Sequence, residues 1–183
     1  MTLSQIKGFT IKFKQATVTV PDIPLKKQVT VLVGPNGVGK STVLRVLAGM
    51  TSLRGLTGSF RYAQDHPKFP IDIVCEDLLT QINYMDVTFN PSLMDELIDM
   101  LQFRPYLKHT CTALSKGNQM KLNLILTLAC EVDMYLLDEP FSGLDKLGKI
   151  ALIDFMQKVN KQIIISSHLD DVIKEDIMDV VFL

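Results

Sequence analysis

A glycine-rich string at residues 34–41 lies between two apolar segments of the chain. Val29–Val33 is a run rich in β-branched residues, which is typical of a strand buried on both faces of a sheet. The string Gly34-Pro-Asn-Gly-Val-Gly-Lys-Ser41 follows it directly, and residues 41–48 then carry helical apolar spacing. The sequence therefore predicts a strand, a loop and a helix in that order.

The string fits the pattern G-x-x-x-x-G-K-[S/T], whose residue types suit a phosphate chain. Glycines let backbone N–H groups close around phosphate oxygens, and the helix N-terminus adds its positive dipole. In such a loop Lys40 reaches the β- and γ-phosphates, and the Ser41 hydroxyl ligates Mg²⁺. The alternative is a glycine turn that merely joins strand to helix. The predicted nucleotide-binding residues are Gly34, Pro35, Asn36, Gly37, Val38, Gly39, Lys40, Ser41 and Thr42.

A second apolar run ends in two acidic residues. Residues 134–137 predict another buried strand, and Asp138 and Glu139 follow it. Together with Ser41, Asp138 is predicted to hold the Mg²⁺ shell of a bound nucleotide. Glu139 is placed to polarise a water molecule for attack on the γ-phosphate. The alternative is a pair of solvated acids at a strand end.

Strands and helices alternate along the rest of the chain. The pattern predicts an α/β fold with a mainly parallel sheet and a small N-terminal antiparallel β layer. Asn90 and Asp145 are predicted to cap helices. Predicted strands cover 6–13, 16–20, 59–63, 162–166 and 180–183, and predicted helices include 93–101, a stripe through Met120, Leu124 and Leu128, and a segment from Leu147 to Val159.

Composition narrows the class of protein further. The chain has 183 residues, 47% of them hydrophobic, and a formal net charge of -1, so one domain is expected and no nucleic-acid partner. Its 3 cysteines are odd in number and widely separated, so neither a disulfide framework nor a zinc spacing is expected, which fits a reducing cytosol. Neither a signal peptide nor a membrane span is expected from the apolar patterning.

Further strings give the sequence a family resemblance. Between the glycine-rich string and the acidic pair lies a string that resembles the LSGGQ signature of ATP-binding-cassette (ABC) ATPases. The order of all the strings is similar to that family from residue 34 to residue 168. The strings are the signature at 114–121, Leu-Asp-Glu-Pro at 137–140, Ser-Gly-Leu-Asp at 142–145, a glutamine at Gln64, and Ser-His at 167–168.

The resemblance implies ATP and Mg²⁺ as ligands and a composite site. In ABC ATPases two subunits enclose two nucleotides head to tail, so Ser115 and Gly117 of one chain are expected to bind the γ-phosphate held by a second ATPase subunit. By the same resemblance, Gln64 is a contact of Mg²⁺ and water, and Asp145 is expected to make a contact across the dimer. The resemblance also gives one nucleotide-binding domain over 1–183 with an inserted helical subdomain at about 65–130. The implied catalytic residues are Glu139, His168 and Lys40.

Some positions stay open. Phe9 and Phe13 are both candidates for stacking on adenine, and Phe13 is preferred for its distance from Lys40. Lys116 and Asn118 depart from the signature. ATPase activity is still expected, because Ser115 and Gly117, the residues most needed for phosphate contact, are kept. Apolar residues of the helical subdomain, including Tyr84, Met85 and Phe103, are candidates for interface anchors, although core packing is favoured.

The expected function is that of an ATPase subunit that powers a transporter, with a leaning towards export. Because the sequence shows no membrane span, the transmembrane permease is expected to be a separate subunit, with this chain in the cytoplasm on the inner face of the membrane. Two alternatives are kept: a soluble ABC ATPase of DNA maintenance or translation, and a nucleotide-binding regulator that does not hydrolyse ATP.

Overall fold

The computed structural model describes residues 5–12, 17–50, 58–167 and 178–183. The strands are β1 Gln5–Ile6, β2 Phe9–Lys12, β3 Thr17–Val20, β4 Ile23–Pro24, β5 Val29–Val33, β6 Phe60–Ala63, β7 Met134–Asp138, β8 Gln162–Ser167 and β9 Met178–Phe182. The helices are α1 Lys40–Leu47, α2 Cys75–Met85, α3 Pro91–Met100, α4 Lys116–Leu128 and α5 Lys146–Lys158. Two short 3-10 helices, Arg104–Tyr106 and Cys111–Ala113, lie between α3 and α4.

Five strands form one sheet in the order β6-β7-β8-β5-β9, and every neighbouring pair is parallel. This confirms the predicted parallel α/β fold. Strand β8 lies between β5 and β7, with Val33 opposite Ser167 and Asp138 opposite Ser166. The glycine-rich loop and the acidic pair therefore leave the sheet at the same edge, one strand apart.

The small N-terminal β layer is also confirmed. Strands β2 and β3 pair antiparallel, with Phe9 opposite Val20, and β1 pairs antiparallel with β4. Buried residues of these strands pack with α1 in one core, on one face of the parallel sheet. A second core on the opposite face contains residues of α2, α3, α4 and α5.

The predicted helix caps are present. The Asn90 side chain accepts hydrogen bonds from the N–H groups of Ser92 and Leu93 at the start of α3, which places Pro91 in the first turn. Asp145 caps α5 by accepting from the N–H of Gly148 at 2.7 Å. Both helices therefore begin where their capping residues indicate.

The sequence interpretation missed helix α2. Its cap position, Val74, has no side-chain hydrogen bond to the helix, so no capping residue marks its start. Its last turn also ends in exposed apolar residues, Tyr84 and Met85, for which core packing had been favoured, whereas Phe103 is fully buried as that interpretation expects. Within the described ranges, none of the helices is both long and apolar enough to cross a bilayer.

Candidate active site

The loop between β5 and α1 is open and lined by backbone. Gly37 and Gly39 have φ angles of 81° and 113°, in the left-handed region that favours glycine. A Cβ added at Gly37 would meet nothing within 4 Å, so this part of the loop faces free space. Gly39 stands at the N-cap position of α1, where helix N–H groups lack partners within the helix. The N–H groups at the start of α1 are therefore available to an anion.

Lys40, the first residue of α1, is buried and folds back over the loop. Its Nζ donates to the carbonyl oxygen of Gly34 at 2.8 Å and lies 3.5 Å from Oε1 of Glu139. A buried ammonium group needs such partners, because an uncompensated charge is costly away from water. Lys40 thus links the start of the loop to the acidic pair at the end of β7.

The carboxylate of Asp138 accepts hydrogen bonds from three hydroxyl groups. Ser41 donates to Oδ1 at 2.9 Å, and Ser166 donates to the same oxygen at 2.6 Å. Tyr62 donates to Oδ2 at 2.9 Å. The two sequence motifs predict that Ser41 and Asp138 share one Mg²⁺ ion, and the structure brings their side chains into direct contact. Tyr62 and Ser166 were not foreseen, because neither belongs to the glycine-rich string or to the acidic pair.

Strand alternation explains why these side chains meet. Leu136 and Ile164 face the core that contains α1, so Asp138 and Ser166, each two residues further along, point to the same side. Tyr62 packs against that core as well. Burial, reinforced by the Asp138 carboxylate, raises the pKa of the Tyr62 phenol above its ordinary value. Tyr62 therefore stays protonated near neutral pH and acts as a donor.

Glu139 has an unusual backbone conformation. Its φ is 47°, which is uncommon for a residue with a side chain, and its N–H donates to Ser166 Oγ at 2.9 Å. Non-glycine residues in this region cluster at functional sites, where the surrounding structure holds them. Here the turn directs the Glu139 carboxylate towards Lys40.

The donors present suit a magnesium ion and a phosphate chain. Ser41 and Asp138 bring together one hydroxyl and one carboxylate, and Mg²⁺ prefers a few such oxygens together with water and phosphate oxygens. Among the described residues no group of three or more His, Cys, Asp or Glu side chains is placed to hold a metal. The donor set thus fits a nucleotide-bound Mg²⁺ better than a cage built from protein side chains alone.

The signature residues form a separate cluster. Ser115 caps α4 by accepting from the N–H of Asn118. A Cβ added at Gly117 would lie 2.3 Å from the carbonyl oxygen of Gly143, so the two backbones touch. Lys116 Nζ lies 3.4 Å from Ser142 Oγ. We call Ser115–Gly117 and Ser142–Gly143 the signature cluster.

An ion pair next to the signature cluster joins α4 to the start of α5. The buried Lys121 of α4 donates to the exposed Asp145 Oδ2 at 3.1 Å. The N–H of Gly148 and the Lys121 ammonium lower the pKa of Asp145 below its usual range. Asp145, for which the resemblance implies a contact across a dimer, is thus engaged within its own chain.

Of three further predicted site residues, the structure describes only Gln64. Gln64 follows β6, one residue past the pairing of Ala63 with Leu137, so it lies at the same sheet edge as Asp138. Its side chain is exposed, and its carbonyl accepts from Asn123 of α4 at 2.9 Å. His168 and Phe13 lie outside the described residues. Phe9, the alternative to Phe13, packs partly buried against the core that contains α1.

A family model and individual sequence relatives point to the same family. The sequence model of the family described as ABC transporter matches residues 23–142. The chain is 28% identical over 175 residues to YthP, an uncharacterized ABC transporter ATP-binding protein of Bacillus subtilis, covering 90% of this chain and 74% of that protein. It is 32% identical over 147 residues to an ABC transporter ATP-binding protein of Methanocaldococcus jannaschii, covering 75% of this chain and 56% of that one.

Other relatives carry the names of import proteins. The phosphate import ATP-binding protein PstB of Bacillus cereus is 27% identical over 177 residues and covers 78% of this chain. The chain spans 65% of that protein and 47% of a molybdenum import ATP-binding protein of Rhodopseudomonas palustris. Most of these relatives are thus considerably longer than the chain.

Solved structures share the fold. The ATP-binding subunit of an ABC transporter superposes with a TM-score of 0.74 at 21% identity, covering 90% of this chain and 79% of that one. A structure of RNase-L inhibitor superposes with a TM-score of 0.75 at 24% identity, covering 91% of this chain and 34% of that one. At these identities the likeness concerns the fold alone.

We predict that Gly117→Ala destabilises the chain by about 1–3 kcal/mol, the usual cost of overpacking. The added methyl group would meet the Gly143 carbonyl, so α4 and the turn before α5 must separate. Urea unfolding followed by circular dichroism measures the change. Lys116→Ala, one residue away and exposed, is the matched control and should change stability much less. Equal stability of Gly117→Ala and wild type would contradict the close packing.

A second prediction concerns the Lys121–Asp145 pair. Asn caps helices as well as Asp does, so Asp145→Asn keeps the cap but leaves Lys121 buried without its carboxylate. We expect lower stability at pH 7. Because the folded-state pKa of Asp145 is depressed, the wild-type advantage exists above the unfolded-state pKa and is lost as pH falls through the folded-state value.

Urea unfolding of both proteins between pH 7 and pH 3 checks this dependence. The difference in unfolding free energy should shrink in acid, below about pH 4. Asp154→Asn, on an exposed position of the same helix, is the control and should show no such trend. A difference that is the same at both ends of the range would contradict the assigned ion pair.

Proposed function

Because the chain belongs to the ABC transporter family, we propose that it is the ATP-binding and ATP-hydrolysing subunit of a transporter whose membrane-spanning part is a separate chain. Hydrolysis of ATP is the general activity of this family. The observation that carries the proposal is the convergence of Lys40, Ser41, Asp138 and Glu139 at one edge of the sheet. These four residues supply the cation, the metal ligands and the carboxylate that phosphoryl transfer to water requires.

The loop at 34–41 would bind the phosphate chain of ATP. Its backbone N–H groups and the N-terminus of α1 face the anion, and Lys40 would exchange the Gly34 carbonyl for β- and γ-phosphate oxygens. Ser41 and Asp138 would hold the Mg²⁺ ion, with Gln64 as a further contact. When bound, this ion neutralises charge on the phosphates and fixes their orientation.

Glu139 is the proposed general base. Its carboxylate is directed into the site by the strained turn after β7, and with the ammonium of Lys40 drawn to phosphate it would be able to accept a proton from water. We assign His168 as a second contact of the γ-phosphate on the strength of the family resemblance. An aromatic platform for adenine is assigned to Phe13 on the same basis.

A second ATPase subunit would complete the site. The signature cluster presents Ser115 and the N-terminus of α4, whose N–H groups can donate to an anion. Gly117 is held against Gly143 in the same chain. We propose that Ser115 and Gly117 contact the γ-phosphate bound by the partner's loop, so that ATP closes the dimer and hydrolysis reopens it.

The helical subdomain, residues 65–130, is the proposed contact with the membrane partner. Tyr84, Met85 and Val87 are 92%, 78% and 101% exposed, and we call them the apolar tip. Asp86 lies between Met85 and Val87 in sequence. Arg61 of β6 donates to Asp86 and, at 3.0 Å, to Thr88, so the apolar tip is attached to the sheet. Exposed apolar clusters mark binding sites, and we place the chain at the cytoplasmic face of the membrane through this tip.

The direction of transport is not part of the proposal. The leaning towards export finds no support, since several relatives carry the names of import proteins, for molybdenum, aliphatic sulfonates, phosphate, zinc and taurine. The alternative of a soluble ABC ATPase rests on a fold shared with RNase-L inhibitor at 24% identity. A regulator without hydrolysis is disfavoured because Lys40, Asp138 and Glu139 are all present and in place.

We predict that Glu139→Gln lowers Mg²⁺-dependent phosphate release at least about 100-fold, since a positioned general base contributes at least that factor. The amide keeps the shape of the side chain but does not accept a proton. The variant should therefore accumulate as an ATP-bound dimer, seen as a doubled mass by light scattering.

Glu96→Gln, at an exposed position of α3, is the control and should release phosphate like wild type. Hydrolysis by Glu139→Gln at the wild-type rate would remove the role given to Glu139.

We also predict that replacing the apolar tip by Tyr84→Ser, Met85→Ser and Val87→Ser together reduces the share of the chain that sediments with membranes. The loss of apolar area on the partner-facing surface is the physical reason. Phosphate release by the purified variant should be unchanged. Ile71→Ser, which alters another exposed apolar residue, is the control. Unchanged sedimentation of the triple variant would place the membrane contact elsewhere.

A further inference from the structure

The two oxygens of the Asp138 carboxylate have different partners. Oδ1 accepts from Ser41 of α1 and from Ser166 of β8, at 2.9 and 2.6 Å. Oδ2 accepts from Tyr62 of β6 at 2.9 Å. If Asp138 and Ser41 share a metal ion, Oδ1 is the carboxylate oxygen that faces it. Tyr62 then holds the other oxygen, Oδ2, which is turned away from Ser41.

The register of the sheet fixes the position of the Tyr62 hydroxyl. Tyr62 pairs with Leu136 in the parallel ladder between β6 and β7, and Asp138 lies two residues further along β7 on the same face. The ring packs partly buried against the core that contains α1. A tyrosine reaches this diagonal neighbour because its hydroxyl stands at the far end of a rigid ring.

We propose that Tyr62 is a positioning residue for the magnesium ion of the bound nucleotide. The terminal torsion of an aspartate is broad, so a carboxylate held at one oxygen only is able to rotate and offer either oxygen. The hydrogen bond to Oδ2 stops that rotation and keeps Oδ1 turned towards Ser41. This inference rests on the proposed function, because it assumes that the site binds Mg²⁺ with ATP.

The hydrogen bond between Tyr62 and Asp138 also connects the proposed metal ligands to helix α4, which begins in the signature cluster. Two residues after Tyr62, the Gln64 carbonyl accepts from Asn123 of α4 at 2.9 Å. The segment from Tyr62 to Gln64 is thus held at one end by Asp138 and at the other by α4. Tyr62 therefore also sets where Gln64 lies relative to the Asp138 carboxylate.

The test uses Tyr62→Phe, which removes one oxygen atom and keeps the ring. Mn²⁺ replaces Mg²⁺, and electron paramagnetic resonance measures Mn²⁺ affinity in the presence of ATP. We expect about a tenfold loss of Mn²⁺ affinity, at the lower end of what residues that orient metal ligands contribute. Affinity for ATP in EDTA should stay at the wild-type value, and the KM for Mg²⁺ in phosphate release should rise more than kcat falls.

Tyr106→Phe, which removes the hydroxyl of a partly buried tyrosine in the 3-10 helix Arg104–Tyr106, is the matched control and should behave as wild type. Thermal unfolding checks that both variants are folded. Equal Mn²⁺ affinity in Tyr62→Phe and wild type would overturn the inference while leaving the proposed function standing. A wild-type chain that binds no ATP would instead overturn the proposed function.

A measurement on the unmutated chain keeps the inference testable without any variant. The chain has 4 tyrosines, which can be replaced by 3-fluorotyrosine and followed by fluorine NMR. We expect one resonance to shift when Mg²⁺ is added to the ATP complex, and the same resonance to broaden with Mn²⁺. Four resonances that ignore both ions would overturn the inference.

Discussion

The buried carboxylate of Asp138 is the constraint on which the site depends. A carboxylate removed from water must be hydrogen-bonded, and this one accepts from hydroxyl groups on α1, β6 and β8. The three donors come from elements far apart in sequence, so satisfying the charge also brings the strand ends and the first helix together. The need to hydrogen-bond the Asp138 carboxylate thus sets the positions of the side chains at this edge of the sheet.

The candidate site residues of one chain form two separate groups. Lys40 and Glu139 meet at the edge itself, whereas the signature cluster is held by contacts between α4 and the turn before α5. The Lys121–Asp145 pair joins α4 to the start of α5 within this second part. Because each part is held by contacts within its own chain, the proposed assembly of two chains around a nucleotide would need little rearrangement of either part.

The sequence predicts the parts of the fold that local patterns determine. Apolar β-branched runs gave the buried strands, and Asn90 and Asp145 marked the starts of two helices. Two motifs with known chemistry predict that Ser41 and Asp138 share one metal ion, and the two side chains do lie together. Tyr62 could not be found in this way, because its partner is 76 residues away and only the strand register brings them together.

Helix α2 and the apolar tip show a different reason for error. Cys75, Leu78, Leu79 and Ile82 carry helical spacing, and Glu76 and Asp77 suit a first turn, so the signal for α2 was present without a capping residue. The same stripe ends before Tyr84 and Met85, which turn away from the core. Apolar composition alone does not distinguish a buried end of a helix from one that is exposed for a partner.

Calorimetric titration with ATP measures whether Asp138 and Ser41 hold the metal of a bound nucleotide, as proposed. Wild type and Asp138→Asn are each titrated in Mg²⁺ and in EDTA. We expect wild type to bind ATP more tightly with Mg²⁺ than without it, and Asp138→Asn to lose that difference. Asp138→Asn with an undiminished Mg²⁺ dependence would contradict the claim, since the metal would then be held by other residues.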